Sequence, residues 1–287
     1  MYSMVKILAI DLDGTLFYPK GRKHFISKKN LEFLRKFIDA GNKVVLVTSR
    51  IVSFCEEIVK LIDRDVDYIC LTGAIIKANG KFIRDEAIPN EDLKHILDAV
   101  KHRYKPIGYF LTCKDQPLIV QPHIHIGPFL KKFYLGVYKS ILGIYREEIL
   151  ISGEEFDKQV ETGRLYNVKS FYGLGRKARK TNSEINKAIR EKYPSIESSW
   201  MGIVLEFSPK GCSKGESLQY YVDYIKADKD QVYVIGDSGN DISMFIAFKD
   251  HSYCMSHAYP SVKKYAKYKV SRVYKLDQYL FERRTDE

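Results

Sequence analysis

Short, almost wholly apolar runs recur along this chain, and each ends in polar residues. Residues 5–10, 43–47 and 231–235 are rich in β-branched side chains and contain almost no polar ones. Runs of this length and composition are typical of strands buried on both faces of a parallel sheet. A further strand is predicted over residues 68–71, where the same pattern recurs.

Helical patterns lie between these strands. Ser27 is a candidate N-cap for a helix with a single apolar stripe, which Gly41 ends, and a second helix is predicted over residues 51–62. Strands and helices in alternation predict an α/β fold, with a doubly wound (Rossmann-like) parallel sheet as its core.

The alternation stops in the middle of the chain, where adjacent strands are mixed with helices. The predicted helices there cover residues 90–104, 128–148 and 181–193, and the predicted strands cover residues 107–112, 117–121, 168–172 and 199–207. This mixture indicates an inserted α+β cap domain with an antiparallel sheet. We therefore expect a catalytic core formed by residues 1–83 with 210–287, and a cap formed by residues 84–209.

Two carboxylates follow the first predicted strand directly. Asp11 and Asp13 stand at its carboxyl end, which is where open α/β sheets place their ligands. Ionised carboxylates this close repel each other, and a divalent cation with a preference for oxygen ligands, such as Mg²⁺, would relieve the repulsion. The alternative is a simple turn, because Asp13 and Gly14 are both turn-forming residues.

Polar residues also follow two other core strands. Asp237 and Asp241 come after the strand predicted over residues 231–235, and Thr48 and Ser49 come after the second strand. Hydroxyl groups that lead into a helix N-terminus can bind an anion, although they can also serve only to cap the helix.

Lys214 is expected in the first turn of a helix, where its charge opposes the helix dipole. A lysine at this place is either tolerated at the surface or required by a bound anion. On this reasoning, Lys214→Ala leaves the stability of the protein unchanged or slightly higher.

Composition narrows the class of protein. The chain has 287 residues, of which 45% are hydrophobic and 29% charged, and these proportions are ordinary for a globular protein. Its net charge of +11 suits an anionic substrate and also suits nucleic acid, but the basic residues are scattered. The five cysteines form no CxxC pair, which favours reduced thiols and a cytoplasmic location. We expect no signal peptide and no membrane span.

Taken together, these motifs resemble the haloacid dehalogenase (HAD) superfamily of phosphotransferases. The matching segments are residues 11–16, residues 47–50, Lys214 and residues 236–241. Their order, and the large insert between the second and the third, resemble the Cof-like branch of phosphatases with a type II cap.

The resemblance implies a role for each matching residue. Asp11 would be the nucleophile and Asp13 the general acid and base. The metal ligands would be Asp11, the backbone carbonyl of Asp13, and Asp237. The remaining implied residues are Thr48, Ser49, Lys214 and Asn240, which would hold the phosphate, and Asp241, which would support the metal and Lys214.

Three positions depart from the common pattern of this branch. Ser49 and Thr72 stand where Gly and Asn are common, and His257 stands where Asn is common. None of these changes removes an acidic residue. We therefore expect them to affect the choice of substrate and the fine geometry of phosphate binding, and not the class of reaction. Two further histidines, His123 and His125, are interpreted as surface or substrate-contacting residues, with a metal site as the alternative.

The sequence thus predicts a Mg²⁺-dependent phosphatase of small phosphorylated metabolites, with sugar phosphates as the expected class. No nucleic-acid or membrane partner is expected. Two alternatives stay open, a phosphomutase that reuses the aspartyl-phosphate and a catalytically idle basic protein that binds RNA or another partner.

Overall fold

The computed structural model describes residues 5–19, 26–113, 118–122, 149–172, 175–201 and 204–281. The chain folds into two compact units. The first consists of Met1–Arg84 and Lys214–Glu287, and the second of Asp85–Ser213. The assignment of these units as catalytic core and cap stays a prediction.

The described residues form the following elements, in chain order. The strands are β1 (Ile7–Ile10), β2 (Lys43–Val47), β3 (Asp67–Cys70), β4 (Ile75–Ala78), β5 (Lys81–Asp85), β6 (Gly108–Cys113), β7 (Leu118–Pro122), β8 (Ile149–Ile151), β9 (Leu165–Phe171), β10 (Ile196–Met201), β11 (Val204–Pro209), β12 (Val232–Gly236), β13 (Ser252–Met255) and β14 (Tyr268–Val270). The helices are α1 (Lys28–Asp39), α2 (Val52–Ile62), α3 (Asn90–Tyr104), α4 (Gly153–Thr162), α5 (Gly175–Lys192), α6 (Lys214–Tyr224), α7 (Ile242–Ala247), α8 (Pro260–Lys263) and α9 (Asp277–Leu280).

An eight-stranded sheet is the centre of the first unit, with the strand order β14-β13-β12-β1-β2-β3-β4-β5. The strands from β14 to β3 are parallel to their neighbours, and β4 is antiparallel to β3. All four residues of β1 are buried, which requires cover on both faces of the sheet. The predicted α/β class with a parallel-sheet core is therefore confirmed.

Helices α6 and α7 cover one face of this sheet. Their side chains Leu218, Tyr221 and Phe245 join the apolar cluster that contains Ala9 and Val45. Gly215 allows the two helices to approach closely, because a Cβ at this position would lie 2.3 Å from the backbone oxygen of Ser243. The helix that carries Lys214 is thus held against the helix that follows Asp241.

A β-hairpin at the edge of the sheet was absent from the sequence prediction. Strands β4 and β5 flank Asn79 and Gly80, which have φ values of 49° and 78°. Asn-Gly is a strong signal for a two-residue hairpin turn, because both positions adopt positive φ readily. The signal was therefore present in the sequence.

A six-stranded sheet forms the centre of the second unit, in the order β10-β11-β9-β6-β7-β8. It is antiparallel except for the parallel pair β7 and β8. Helices α3, α4 and α5 contribute Ile96, Phe156 and Ile189 to an apolar cluster with Leu205 and Phe207 of the sheet. The predicted α+β character of this region is confirmed.

One predicted element of the second unit is wrong. A single strand was expected over residues 199–207, but the structure has the antiparallel pair β10 and β11, in which Met201 is opposite Val204. The turn-forming residue Gly202 lies between them in the sequence, so a hairpin was the better prediction. The helix predicted over residues 128–148 lies outside the described residues, as do His123 and His125.

Two predictions from composition can be compared with the structure. All five cysteines are free and buried. Within the described part of the chain, no helix has the length and apolar character that crossing a membrane requires.

Candidate active site

Asp11 and Asp237 meet because β1 and β12 are parallel neighbours. The register pairs Ile10 with Ile235, and the Asp11 N–H donates to the carbonyl oxygen of Ile235 at 3.0 Å. Each aspartate therefore follows the carboxyl end of its strand, as the sequence predicts. Asp11 is buried and Asp237 is partly buried.

Lys214, the first residue of α6, lies between two carboxylates. Its Nζ donates to Asp11 Oδ1 and to Asp241 Oδ1, both at 2.6 Å. Only 1% of the lysine is exposed, so a surface position for this side chain is excluded. A charge that opposes the helix dipole is here balanced by two buried ion pairs.

Asp241 connects the lysine to the loop after β12. Its Oδ2 accepts hydrogen bonds from the backbone N–H groups of Asp237 and Ser238, each at 2.9 Å. Gly236 makes room for this arrangement, since a Cβ there would lie 2.4 Å from the Asp241 carboxyl carbon. Both oxygens of Asp241 therefore already have donors from the protein.

Burial and the interactions between neighbouring charges shift the pKa values of the residues in this cluster. Burial raises the pKa of Asp11 well above its ordinary value, and Asp241 and Asp237 add to the increase while Lys214 opposes it. Burial likewise raises the pKa of Asp237. Burial alone would lower the pKa of Lys214, but the attraction of Asp11 and Asp241 outweighs it and raises that pKa.

The cluster has the donor set of a hard divalent cation. Oxygen atoms of Asp11, Asp237 and Asp241 lie within 4.8 Å of one another. Asp11 Oδ2 is buried, and no described residue offers it a hydrogen bond. A cation among these oxygens would favour their ionised forms, and all-oxygen coordination fits Mg²⁺.

Asp13 is held by a residue to which the sequence assigned no role. The Arg50 guanidinium binds it in a bidentate way, with Nε donating to Oδ2 and Nη2 to Oδ1, both at 2.8 Å. Arg50 is itself buried and lies over the ring of Phe54, with 4.8 Å from its Cζ to the ring centroid. The pair fixes the direction of the Asp13 carboxylate, which is about one-third exposed.

The remaining predicted site residues surround this centre. Thr48 is buried, and its Oγ1 accepts a hydrogen bond from the Arg50 N–H at 3.2 Å. Ser49 follows it and is partly buried. Asn240 is buried, with its Oδ1 accepting from the Ser238 hydroxyl at 2.7 Å, while its Nδ2 has no hydrogen-bond acceptor among the described residues.

The turn that follows Asp11 packs against the carboxylate of Asp237. Gly14 has a φ of +83°, and a Cβ there would lie 2.4 Å from Asp237 Oδ2. The Thr15 hydroxyl donates to Asp237 Oδ1 at 3.4 Å, and His257 Nε2 lies 3.5 Å from Asp237 Oδ2. Sequence reasoning placed Thr15 in the first motif but assigned it no role, and it did not foresee the contact of His257, because both contacts depend on the three-dimensional path of the turn.

The arrangement combines the groups that phosphoryl transfer requires. It offers a buried carboxylate with one oxygen that has no donor among the described residues, a second carboxylate fixed nearby in the same turn, and a buried ammonium group. Positioning and charge stabilisation account for most of the catalysis in such reactions. The individual roles of these residues stay predictions.

Comparison with known proteins gives one family. A family model described as haloacid dehalogenase-like hydrolase matches residues 8–275. Over 271 residues the chain is 25% identical to the 5-amino-6-(5-phospho-D-ribitylamino)uracil phosphatase YwtE of Bacillus subtilis, with 91% of each protein covered.

Solved structures with the same fold cover nearly the whole chain. SMU.1108c from Streptococcus mutans has a TM-score of 0.78 at 20% identity, over 96% of this chain and 99% of that chain. The HAD subclass IIB sugar phosphatase BT4131 has a TM-score of 0.69 at 20% identity, over 95% of both chains. At sequence identities this low, the structural likeness shows that the fold is shared and no more.

Proposed function

Because this chain belongs to the haloacid dehalogenase-like hydrolase family and is a phosphatase of the HAD type, we propose that it is a Mg²⁺-dependent phosphatase of small phosphorylated metabolites. Sugar phosphates are the proposed substrate class, and the reaction proceeds through a phosphoryl group carried on Asp11. Of the observations above, the environment of Asp11 carries this proposal.

Asp11 is suited to attack phosphorus. One oxygen of its carboxylate is held by Lys214 at 2.6 Å, and the other has no donor in the described part of the chain. In the first step the carboxylate forms a bond to phosphorus while the bond from phosphorus to the leaving oxygen breaks, and Asp13 gives that oxygen a proton. In the second step Asp13 takes a proton from water, which attacks phosphorus and releases Asp11.

Three residues are proposed to hold the metal ion, namely Asp11, Asp13 through its backbone carbonyl, and Asp237. When bound, Mg²⁺ would shield the negative phosphate from the negative nucleophile. Asp241 would support this set, because it fixes Lys214 and the backbone of the loop that carries Asp237.

Four residues are proposed to hold the phosphate oxygens. Lys214 supplies a buried positive charge, and Asn240 supplies the amide Nδ2 that has no described acceptor. Thr48 already accepts one hydrogen bond and keeps its own proton to donate. Ser49 is the fourth, as the next hydroxyl along the same loop.

The substrate class is proposed from charge and from likeness. A net charge of +11 favours an anionic substrate, and one structural neighbour is named as a sugar phosphatase. We propose that residues 84–209 act as the cap that selects the leaving group. Variants in this region should change the preference among sugar phosphates and have less effect on p-nitrophenyl phosphate.

Phosphate release from a panel of phosphorylated metabolites, measured with Mg²⁺ and with excess EDTA, tests the proposal. Turnover that depends on Mg²⁺, with at least one sugar phosphate among the best substrates, supports it. Full activity in EDTA contradicts the metal dependence. Salt-sensitive binding to RNA with no phosphate release would favour the idle binding protein instead.

The covalent intermediate has a separate test. Asp13→Ala lacks the general base, which typically contributes about 10²–10⁴-fold, so with p-nitrophenyl phosphate it should give a burst of up to one equivalent and then stall. Acid quenching should leave one phosphoryl group on Asp11. Label on another residue, or a labelled Asp11→Asn variant, contradicts the assignment of the nucleophile.

A further inference from the structure

The carboxylate of Asp237 has a neighbour on each of its two oxygens. The buried Thr15 hydroxyl donates to Oδ1 at 3.4 Å, and His257 Nε2 lies 3.5 Å from Oδ2. The reaction outlined above uses neither residue. Two neighbours on opposite oxygens restrict the rotation of a carboxylate, so the orientation of Asp237 depends on both.

The ring of His257 is itself held in place. It stacks on the ring of Tyr18, with 3.8 Å between the ring centroids and 24° between their planes. The guanidinium of Arg272 also lies over the Tyr18 ring, with its Cζ 4.7 Å from the centroid. A stacked ring of this kind cannot turn freely, so Nε2 stays directed at Asp237.

We propose that His257 is a positioning residue for Asp237, and that Tyr18 acts through His257 by fixing the plane of its ring. The stacked rings of Tyr18 and His257 hold the Asp237 carboxylate in the orientation in which it would bind Mg²⁺. This inference rests on the proposed function, in which Asp237 is a metal ligand. Partners that orient a ligating side chain typically change metal affinity about 10- to 100-fold when they are removed.

The position of His257 favours this role over contact with the substrate. About 30% of its side chain is exposed, and its Nε2 lies 3.5 Å from the carboxylate of Asp237. His251 offers a matched comparison, because it also packs against a tyrosine, with 4.3 Å between its ring centroid and that of Tyr233. The structure gives His251 no contact with Asp237, so it controls for the loss of an imidazole packed against a tyrosine.

Isothermal titration calorimetry, in which Mg²⁺ is added to the metal-free 287-residue chain, measures the affinity for Mg²⁺ directly. We expect His257→Ala to weaken Mg²⁺ binding by about tenfold or more. Tyr18→Leu should weaken it by a smaller factor, because the imidazole remains but its plane is free. Tyr18→Phe, which keeps the ring, and the control His251→Ala should stay within about twofold of the wild type.

A conservative variant separates positioning from packing. His257→Gln places an amide N–H near the position of Nε2 and should recover part of the lost affinity. In addition, kcat of His257→Ala should approach the wild-type value at saturating Mg²⁺, because a positioning residue for the metal ligand acts through affinity. Thermal unfolding of each variant confirms that it is folded.

The outcomes are distinguishable from failure of the proposed function. If the wild type binds Mg²⁺ and His257→Ala binds it equally well or more tightly, the inference is overturned while the proposed function stands. If His257→Ala and His251→Ala lose affinity equally, the effect is one of packing and the inference is also overturned. If the wild type binds no Mg²⁺, both are overturned.

Discussion

Lys214 is buried where a lysine could not remain charged without partners. Asp11 and Asp241 supply them, each at 2.6 Å from Nζ. An ammonium group loses much of its hydration when it is buried, and only close, hydrogen-bonded carboxylates can offset the loss. This side chain therefore neutralises the carboxylates of the folded site, and in the proposed function it also presents positive charge to a phosphate.

Lys214→Met should reduce both activity and stability. We expect kcat/KM to fall at least about tenfold, which corresponds to about 1.4 kcal/mol of transition-state binding. The free energy of unfolding should fall by about 3–5 kcal/mol, because two buried carboxylates lose their partner. The sequence alone suggested unchanged or slightly higher stability for loss of this lysine, and the buried ion pairs reverse that expectation.

The matched control is Lys36→Met. Lys36 also lies 2.6 Å from a carboxylate, that of Asp277, but both side chains of this pair are about half exposed. Pairs of this kind contribute about 0–1 kcal/mol, so urea unfolding should show little change. Equal losses in the two variants would contradict the role assigned to burial at Lys214.

Arg50→Lys should impair the reaction through Asp13. A lysine cannot reproduce the two parallel hydrogen bonds of 2.8 Å that Arg50 makes, so the Asp13 carboxylate loses its fixed direction. We expect kcat/KM for a sugar phosphate to fall by about tenfold or more. The loss should be smaller with p-nitrophenyl phosphate, whose leaving group needs no proton.

Arg64→Lys is the corresponding control. Arg64 binds Asp39 in the same bidentate way, with donor–acceptor distances of 2.6 and 3.1 Å, but at an exposed site. Its replacement should leave kcat/KM for both substrates unchanged. If Arg50→Lys reduced turnover of both substrates equally, the arginine would act on binding rather than on the acid.

At the scale of elements, the link between β3 and β4 has two consecutive non-glycine residues with positive φ. Leu71 and Thr72 have φ values of 52° and 60°, and both are buried. A positive φ is a marked outlier for a β-branched residue such as Thr72. Backbone hydrogen bonds hold this link to the loop of residues 48–50, from the Thr72 N–H to the Thr48 carbonyl at 3.0 Å and from the Leu71 N–H to the Arg50 carbonyl at 2.9 Å.

Thr72→Asn should raise stability and lower activity. Asn adopts positive φ more readily than Thr, and the strain relieved is of the order of 1 kcal/mol, so Tm should rise by about 2–4 °C. We expect kcat/KM to fall, because strained residues at sites of this kind hold neighbouring groups in place. A lower Tm, or a higher Tm with unchanged activity, would contradict a functional reason for the strain.

At the level of elements, regular patterns gave accurate predictions and turns did not. Strand β2 and helix α3 have the predicted bounds, because an apolar run defines the first and a helical stripe the second. The hairpin of β4 and β5 and the break between β10 and β11 were missed, because the turn-forming residues between the strands in the sequence were not recognised as turn signals.

At the level of the whole molecule, the order of strands in the sheet explains why motifs far apart in the sequence could be predicted to lie at one edge of the sheet. Strand β12 pairs with β1 across more than half of the chain, so Asp237 reaches Asp11. The family match confirms the resemblance that the motifs indicated. The bidentate pair of Arg50 with Asp13 and the stack of His257 on Tyr18 could not be predicted, because they depend on side-chain directions in the folded loops.

The buried acids should also make the stability of the metal-free protein depend on pH. Burial raises the pKa of Asp11 in the folded state above the ordinary value of 3.8. The folded protein then holds a proton that the unfolded chain has already released. The stability from this group is therefore fully present below pH 3.8 and is lost as the pH rises through the higher, folded-state pKa.

Asp11→Asn removes this titration, so in EDTA the variant should gain stability relative to the wild type as the pH rises from about 5 to about 8. Asp39→Asn is the control, because a hydrogen bond from Arg64 lowers the pKa of Asp39 below 3.8, so Asp39 is ionised in the folded and the unfolded chain across this range, and the stability difference between that variant and the wild type should not change with pH. Added Mg²⁺ should stabilise the wild type most at the high end, since it binds the ionised carboxylates. Urea unfolding at several pH values measures all three effects, and a constant difference between wild type and Asp11→Asn in EDTA would show that burial does not raise the pKa of Asp11.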